Sequence, residues 1–170
     1  MRDLSKPVRR VTFPQVVQIV RSRDTLQSVV CGPAIHPSAR MQILKAWHRT
    51  GWSPAREHIG DDDLWFAALR KLLPSYSGGD ALHIFRGQIG HEPVGMSWTI
   101  SPVVAERFAF YGTSHKATIE RMQPRPGGVV LDAMVRAEII CAAYTVPGGY
   151  YGEGEVVIDP RGIQARETPL

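Results

Sequence analysis

The stretch SYSGGDALHIFRG, residues 75–87, marks the point where the chain changes from helical to strand-like sequence. Its first half holds two serines and two glycines, which are typical of a loop. The segment ALHIFRG that follows is short, apolar and ends at a glycine, as expected of a β-strand. We therefore predict a helical N-terminal region at residues 1–75, packed on a β core at residues 76–170 within one compact domain overall.

Helical patterns precede this boundary. Thr12 and Gln15 have the spacing of a capping box ahead of the apolar run VVQIV. Three aspartates, residues 61–63, precede LWFAALRKLL, in which apolar residues recur at helical spacing. Acidic residues are favoured at a helix start by the helix dipole, so we interpret the aspartates as a cap and not as a metal site.

Mostly short strands follow the boundary. The segments GMSWTI, KATIERM, GVVLDAMV, IICAAY and GEVVID all have the composition of strands. One helix interrupts them, because Ser101 and Pro102 are favourable start residues for VVAERFAFY. Helices that come first and strands that come later predict an α+β fold, not a parallel α/β sheet.

Composition limits the classes of protein to consider. The chain has 170 residues, of which 44% are hydrophobic and 21% charged, as expected of a globular domain. No apolar run reaches the roughly 18 residues of a membrane span, and the N-terminus lacks the apolar stretch of a secretory signal. Cys31 and Cys141 match no metal or redox spacing, so we expect two buried free thiols and a cytoplasmic protein without a metal.

The positive charge is concentrated at the N-terminus. Residues 1–30 hold six basic and two acidic side chains, a net charge of +4 that equals the net charge of the whole chain. Such a segment can attract nucleic acid or an acidic partner surface, and it can equally be a solvated helix face. The pattern leaves these alternatives open.

Two glutamates lie one residue apart in GYYGEGEVVIDP, residues 149–160. Side chains alternate along an extended strand, so Glu153 and Glu155 are predicted to share a face, roughly 6.5–7 Å apart. Carboxylates placed in this way repel each other unless a cation, a proton or a substrate compensates. The pair is therefore a candidate site, and a solvated strand start is the alternative.

Two further segments have the residue types of a binding site. Arg86 and Gly87 end an apolar strand, where a guanidinium can bind a phosphate or carboxylate with two hydrogen bonds. In the next predicted strand, Ser97 and Thr99 share one face and Trp98 takes the other. Each segment alone is also consistent with ordinary surface and core residues.

Together, in this order, the three segments resemble the arginine–serine–glutamate branch of the ADP-ribosyltransferase superfamily. Arg86 matches the arginine of the first core strand, Ser97-Trp98-Thr99 the serine-centred motif, and Glu153-Gly154-Glu155 the E-x-E motif. The sequence over roughly residues 80–160 is similar to that of phage and bacterial proteins of this type. The similar segments are FRG, GMSWT, AERFA, VVLDAMV and EGEVVIDP. Only ten residues separate Arg86 from Ser97, which indicates a compact version of the family's split antiparallel sheet.

The resemblance implies an NAD-dependent mono-ADP-ribosyltransferase, acting as a toxin or effector in a host or target cell. Glu155 is expected to stabilise the transition state, Arg86 and Gly87 to hold NAD, and Ser97, Trp98 and Thr99 to line its site. Glu153 is expected to orient or deprotonate the acceptor, which E-x-E suggests is a protein arginine. Tyr111 is expected to stack on nicotinamide, whereas Phe108 is expected in the core. Tyr150 and Tyr151 are expected to contact the acceptor from the acceptor-recognition loop.

Other functions are compatible with the same residues. Water as the acceptor would make the chain an NAD glycohydrolase, and a nucleic-acid acceptor would give residues 1–30 a role. A catalytically silent module that blocks a partner protein is the alternative outside the enzyme class.

Overall fold

The structure is a computed structural model that describes residues 4–7, 11–47, 53–90, 92–113, 116–143 and 154–170. The chain divides into two compact units, Met1–Ser75 and Tyr76–Leu170. The first unit is helical and the second contains a six-stranded antiparallel sheet, so the fold is α+β. In the part of the chain that is described, none of the helices has the length and apolar character needed to cross a bilayer.

The helical unit contains five helices in its described residues: α1 (Phe13–Val20), α2 (Arg23–Cys31), α3 (Pro37–Trp47), α4 (Ser53–Ile59) and α5 (Asp62–Leu72). Both predicted caps are confirmed. The backbone N–H of Thr12 donates to Gln15 Oε1 at 2.8 Å, and Asp61 Oδ1 accepts from the backbone of Leu64 at 3.0 Å. These contacts satisfy helix-end groups that would otherwise lack partners.

Helix α5 has six buried residues. Trp65 and Phe66 are fully buried, and Leu69 and Leu72 are nearly so. Lys71 Nζ donates to the carbonyls of Val29, Val30 and Gly32 at 2.6–3.0 Å, at the end of α2. A lysine in this position satisfies carbonyl groups that the end of a helix leaves without intrahelical donors.

The second unit contains the sheet. Its elements in chain order are β1 (Ala81–Ile89), β2 (Ser97–Thr99), α6 (Pro102–Tyr111), α7 (Lys116–Ile119), β3 (Gly128–Arg136), a 3₁₀ turn (Ala137–Ile139), β4 (Ile140–Ala143), β5 (Glu155–Ile158) and β6 (Arg166–Pro169). The strands lie in the order β4-β5-β2-β1-β3-β6, and every adjacent pair is antiparallel. One face carries the apolar core, formed by Ile84, Trp98, Val129, Leu131, Ala133, Val135, Ile140, Val156 and Ile158.

Two expectations from the sequence are wrong. The segment KATIERM is not a strand, because residues 116–119 form the short helix α7 and turn hydrogen bonds follow at Arg121 and Met122. The β-branched residues favour a strand only where a neighbouring strand offers a pairing edge. Cys31 is exposed, although Cys141 is buried as expected, because Cys31 lies on the opposite side of α2 from buried Val29.

Helix α6 lies against β1 with its backbone in direct contact at Gly87. A Cβ atom on Gly87 would lie 1.7 Å from the carbonyl oxygen of Ala105 and 2.5 Å from the nitrogen of Ala109. A Cβ on Gly128 of β3 would similarly lie 2.8 Å from the carbonyl oxygen of Ala109. The helix can therefore pack this closely on β1 and β3 only because both positions lack a side chain.

We predict that Gly87→Ala will lower the free energy of unfolding by about 3 kcal/mol or more, since overpacking against backbone cannot be relieved by a rotamer change. Thermal or denaturant unfolding measures this loss. Gly79→Ala is the matched control, because no atom lies within 4 Å of a Cβ at that position. Equal stability of the two variants would show that α6 does not need the close approach at Gly87.

Candidate functional site

A pocket of about 360 Å³ opens where strands β1 and β2 part. It is lined by residues of β1, β2, β5 and α6, and by the segment between α7 and β3. Six residues predicted as site residues contribute to its walls: Arg86, Gly87, Ser97, Trp98, Thr99 and Glu155. They come from three segments that are separated in sequence, and the sheet brings them together.

The sheet is split between β1 and β2. Phe85 and Thr99 are paired across the two strands, and no second pair joins them among the described residues. Each strand continues to pair on its other side, β1 with β3 over nine residue pairs and β2 with β5 over three. The gap between β1 and β2 is therefore open to side chains, and the pocket occupies it.

Arg86 crosses this gap. Its Nη1 donates to the carbonyl oxygen of Ser97 at 2.7 Å, and its Nε donates to Gln88 Oε1 at 2.9 Å. The guanidinium also lies against Gly95, where a Cβ would come within 2.7–3.0 Å of its terminal atoms. Arginine has five N–H donors, so three remain that bond to no acceptor in the part of the chain that the structure describes.

Burial lowers the pKa of the Arg86 guanidinium from its ordinary value, and the negative charge of Glu92 partly offsets this effect. The group remains a cation at neutral pH because an arginine pKa starts so high. A desolvated guanidinium attracts an anion more strongly than an exposed one, since the surrounding dielectric is lower. Arg86 is thus suited to bind a phosphate or carboxylate in the pocket.

The residues of β2 have the environments that the alternation of side chains along a strand predicts. Trp98 is 3% exposed and packs in the apolar core, while its indole N–H donates to the carbonyl of Gly95 at 2.9 Å. Thr99 is buried, and its hydroxyl accepts from the backbone of Ser101 at 3.0 Å, next to the start of α6. Ser97 is half-buried and lines the pocket.

Glu155 begins β5 and lies directly opposite Thr99. It is half-buried and lines the pocket. Directly opposed residues of antiparallel strands point to the same face, so Phe85, Thr99 and Glu155 form one row across three strands. The Glu155 carboxylate therefore lies beside the gap between β1 and β2, which Arg86 crosses.

The argument that Glu153 and Glu155 share a face does not hold. Gly154 has φ +55°, a left-handed conformation, so the backbone is not extended between the two glutamates. The alternation of side chains applies only to an extended strand. Glu153, Tyr150 and Tyr151 lie outside the described residues.

The aromatic residues that line the pocket are Phe85, Trp98 and Phe108, of which Phe108 was expected in the core. Phe108 is half-buried and follows pocket-lining Val104 by four residues, one turn further along α6. Tyr111 is not among the described residues that line the pocket; its ring lies 6.1 Å from that of Phe110. Positions 104, 108 and 111 have the spacing of a single helix face, so helical periodicity alone does not distinguish Phe108 from Tyr111.

Sequence reasoning missed three polar residues of the pocket: Gln88, Glu92 and Arg125. Gln88 is two residues after Arg86, so strand alternation could have placed it on the same side. Arg125 donates to the carbonyl of Phe108 at 2.9 Å, and its Nε is buried without a hydrogen-bond partner. No local signal marks Arg125, because only the packing of its loop against the end of α6 brings it to the pocket.

The pocket carries charged side chains of both signs. Arg86 and Arg125 supply two cations, and Glu92 and Glu155 supply two carboxylates. Among the described residues, no group of three or more histidine, cysteine or acidic side chains is arranged to hold a metal ion. The polar groups that line the described pocket are charged, hydroxyl and amide side chains.

Comparisons of the chain with protein-family models, with curated proteins and with solved structures found no match.

We predict that Arg86→Lys will destabilise the second unit by about 1–3 kcal/mol, because the buried acceptors on Gln88 and Ser97 lose a charged donor. A lysine has a methylene where arginine has Nε, so it cannot satisfy both acceptors. Denaturant unfolding measures the loss. The control is Arg107→Lys on the exposed side of α6, and equal effects of the two variants would contradict a bridging role for Arg86.

Proposed function

We propose that the chain is an NAD-dependent mono-ADP-ribosyltransferase that transfers ADP-ribose to a macromolecular acceptor, most simply a protein arginine, and releases nicotinamide. The observation that supports the proposal is the convergence of Arg86, Ser97, Thr99 and Glu155 on one pocket. Their order in the chain resembles the arginine–serine–glutamate pattern, and their meeting in space is independent of that resemblance. A compact ADP-ribosyltransferase-like sheet, split at the NAD site, is the corresponding proposal for the fold.

The proposed reaction breaks the bond between nicotinamide and C1′ of the ribose. The bonding electrons leave with the nicotinamide nitrogen, and the ribose develops positive charge as in glycoside cleavage. Glu155 stabilises this charge, which is the kind of fixed electrostatic contribution that lowers a barrier most. The acceptor nitrogen then forms a bond to C1′ and gives up a proton, for which Glu153 is the proposed base.

The other residues of the pocket bind and orient NAD in this proposal. Arg86 donates to the diphosphate or ribose oxygens with the N–H groups that Gln88 and Ser97 leave available. Arg125 adds positive charge on the side of α6. Phe108 offers an aromatic surface for a planar ring. Ser97 and Thr99 line the same pocket as Glu155, and Thr99 lies directly opposite Glu155 in the sheet. We propose that the reaction takes place in the cytoplasm of a host or target cell.

Glu155→Gln is expected to lower ADP-ribose transfer at least a hundredfold, since it removes the charge that stabilises the transition state but keeps the size of the side chain. The assay incubates the protein with labelled NAD and a whole-cell bacterial lysate and follows label on macromolecules. Glu106→Gln, on the exposed side of α6, is the matched control. Full transfer by Glu155→Gln would overturn the mechanism.

The same assay separates the alternative functions. Label on discrete protein bands supports protein transfer, and label on nucleic acid would move the acceptor and involve residues 1–30. Release of nicotinamide without transfer of label would identify a glycohydrolase. Absence of both NAD turnover and heat of NAD binding in calorimetry would favour a binding module.

Glu153→Gln is expected to reduce transfer to protein more than it reduces release of nicotinamide, because the proposed role of Glu153 concerns the acceptor and not NAD. The measurement compares the two rates in parallel for the variant and the unmodified chain. Equal loss of both rates would rule out a separate role for Glu153.

A further inference from the structure

Gln88 is a buried polar residue in an otherwise apolar position. It is 3% exposed and lies opposite Val129, a residue of the apolar core. A buried amide is unfavourable unless its donor and acceptor are both satisfied. Its presence here therefore indicates a polar contact that an apolar residue could not make.

Both ends of the Gln88 amide are hydrogen-bonded. Nε2 donates to the backbone carbonyl of Glu92 at 2.8 Å, and Oε1 accepts from Arg86 Nε at 2.9 Å. The reverse orientation would place the amide oxygen against a carbonyl and the amide nitrogen against a guanidinium. The chemistry of the two partners therefore permits one orientation of the amide.

The carbonyl of Glu92 is itself held by the turn that follows β1. The N–H of Glu92 donates to the carbonyl of Ile89 at 2.9 Å, and the Glu92 carboxylate accepts from the backbone of Ile89 at 3.4 Å. A chain of contacts thus runs from this turn through Gln88 to Arg86 and on to the carbonyl of Ser97. Arg86 is fixed at Nε and Nη1, on the two sides of the split.

We propose that Gln88 is a positioning residue that orients the Arg86 guanidinium for an anionic ligand in the pocket. The role in NAD binding rests on the proposed function, whereas the orientation of Arg86 does not. With Nε and Nη1 engaged, the unengaged N–H groups are held in one direction before the ligand arrives. Preorganisation of this kind lowers the entropy that binding would otherwise lose.

The first test observes Arg86 without any ligand. In ¹H–¹⁵N spectra of arginine side chains, the Nε–H signal of Arg86 is assigned by its loss in Arg86→Lys. Gln88→Leu is expected to shift this signal and speed its exchange with water about tenfold or more, because its acceptor is gone. Val129→Ala is the matched control, since it weakens the same row of the sheet without a polar contact to Arg86.

The second test measures the dissociation constant of NAD by calorimetry. Gln88→Leu is expected to weaken binding about tenfold in the unmodified chain and less than about twofold in the Arg86→Lys background, because Gln88 acts through Arg86 Nε. Gln88→Glu, which keeps an acceptor for Nε, is expected to bind more tightly than Gln88→Leu. The kcat for turnover of bound NAD is expected to differ little between Gln88→Leu and the unmodified chain.

The two tests fail in different ways. The positioning role would be overturned, whatever the ligand is, if the Arg86 Nε–H signal did not change in Gln88→Leu. It would also be overturned if the signal changed equally in Val129→Ala. Equal weakening by Gln88→Leu in both backgrounds would overturn it as well. A changed signal in a chain that does not bind NAD would support the orientation of Arg86 and contradict the proposed function.

Discussion

The approach of α6 to the sheet is the constraint on which the second unit depends. At Gly87 the helix backbone lies so close to β1 that a single carbon atom would not fit. Gly128 of β3 gives the same access further along the helix. This contact sets the distance of Val104 and Phe108 from the strands, and so the depth of the pocket. Gly87 therefore acts through packing as well as through its place in the pocket wall.

A second constraint follows from the split in the sheet. Where β1 and β2 part, backbone groups lose the partners that a continuous ladder would supply, and such groups are unfavourable when buried. Arg86 supplies a donor to the carbonyl of Ser97, and Gln88 holds Arg86 in turn. The arginine that we propose binds ligand thus also joins the two halves of the sheet. Stability and binding are linked at this residue.

The order and type of most elements could be predicted from local patterns. Caps at Thr12 and Asp61 and the strands around Arg86, Ser97 and Glu155 depend on neighbouring residues, and the structure has them. KATIERM has strand-like composition but forms no strand, because strand propensity matters only beside a free pairing edge. The shared face expected for Glu153 and Glu155 assumed an extended Gly154, which φ +55° contradicts. Glycine gives little local signal of its conformation, since it adopts both signs of φ.

The sequence by itself determined the α+β class and the residue types of the candidate site, because capping, alternation and helical periodicity are local properties. Tertiary structure alone decided that Arg86, Ser97 and Glu155 share a pocket, since their meeting depends on strand order and register across the sheet. It also placed Arg125 and Phe108 in the wall of the pocket, whereas Tyr111 is not among the described residues that line it. Contacts between distant segments arise from packing, which no local pattern encodes.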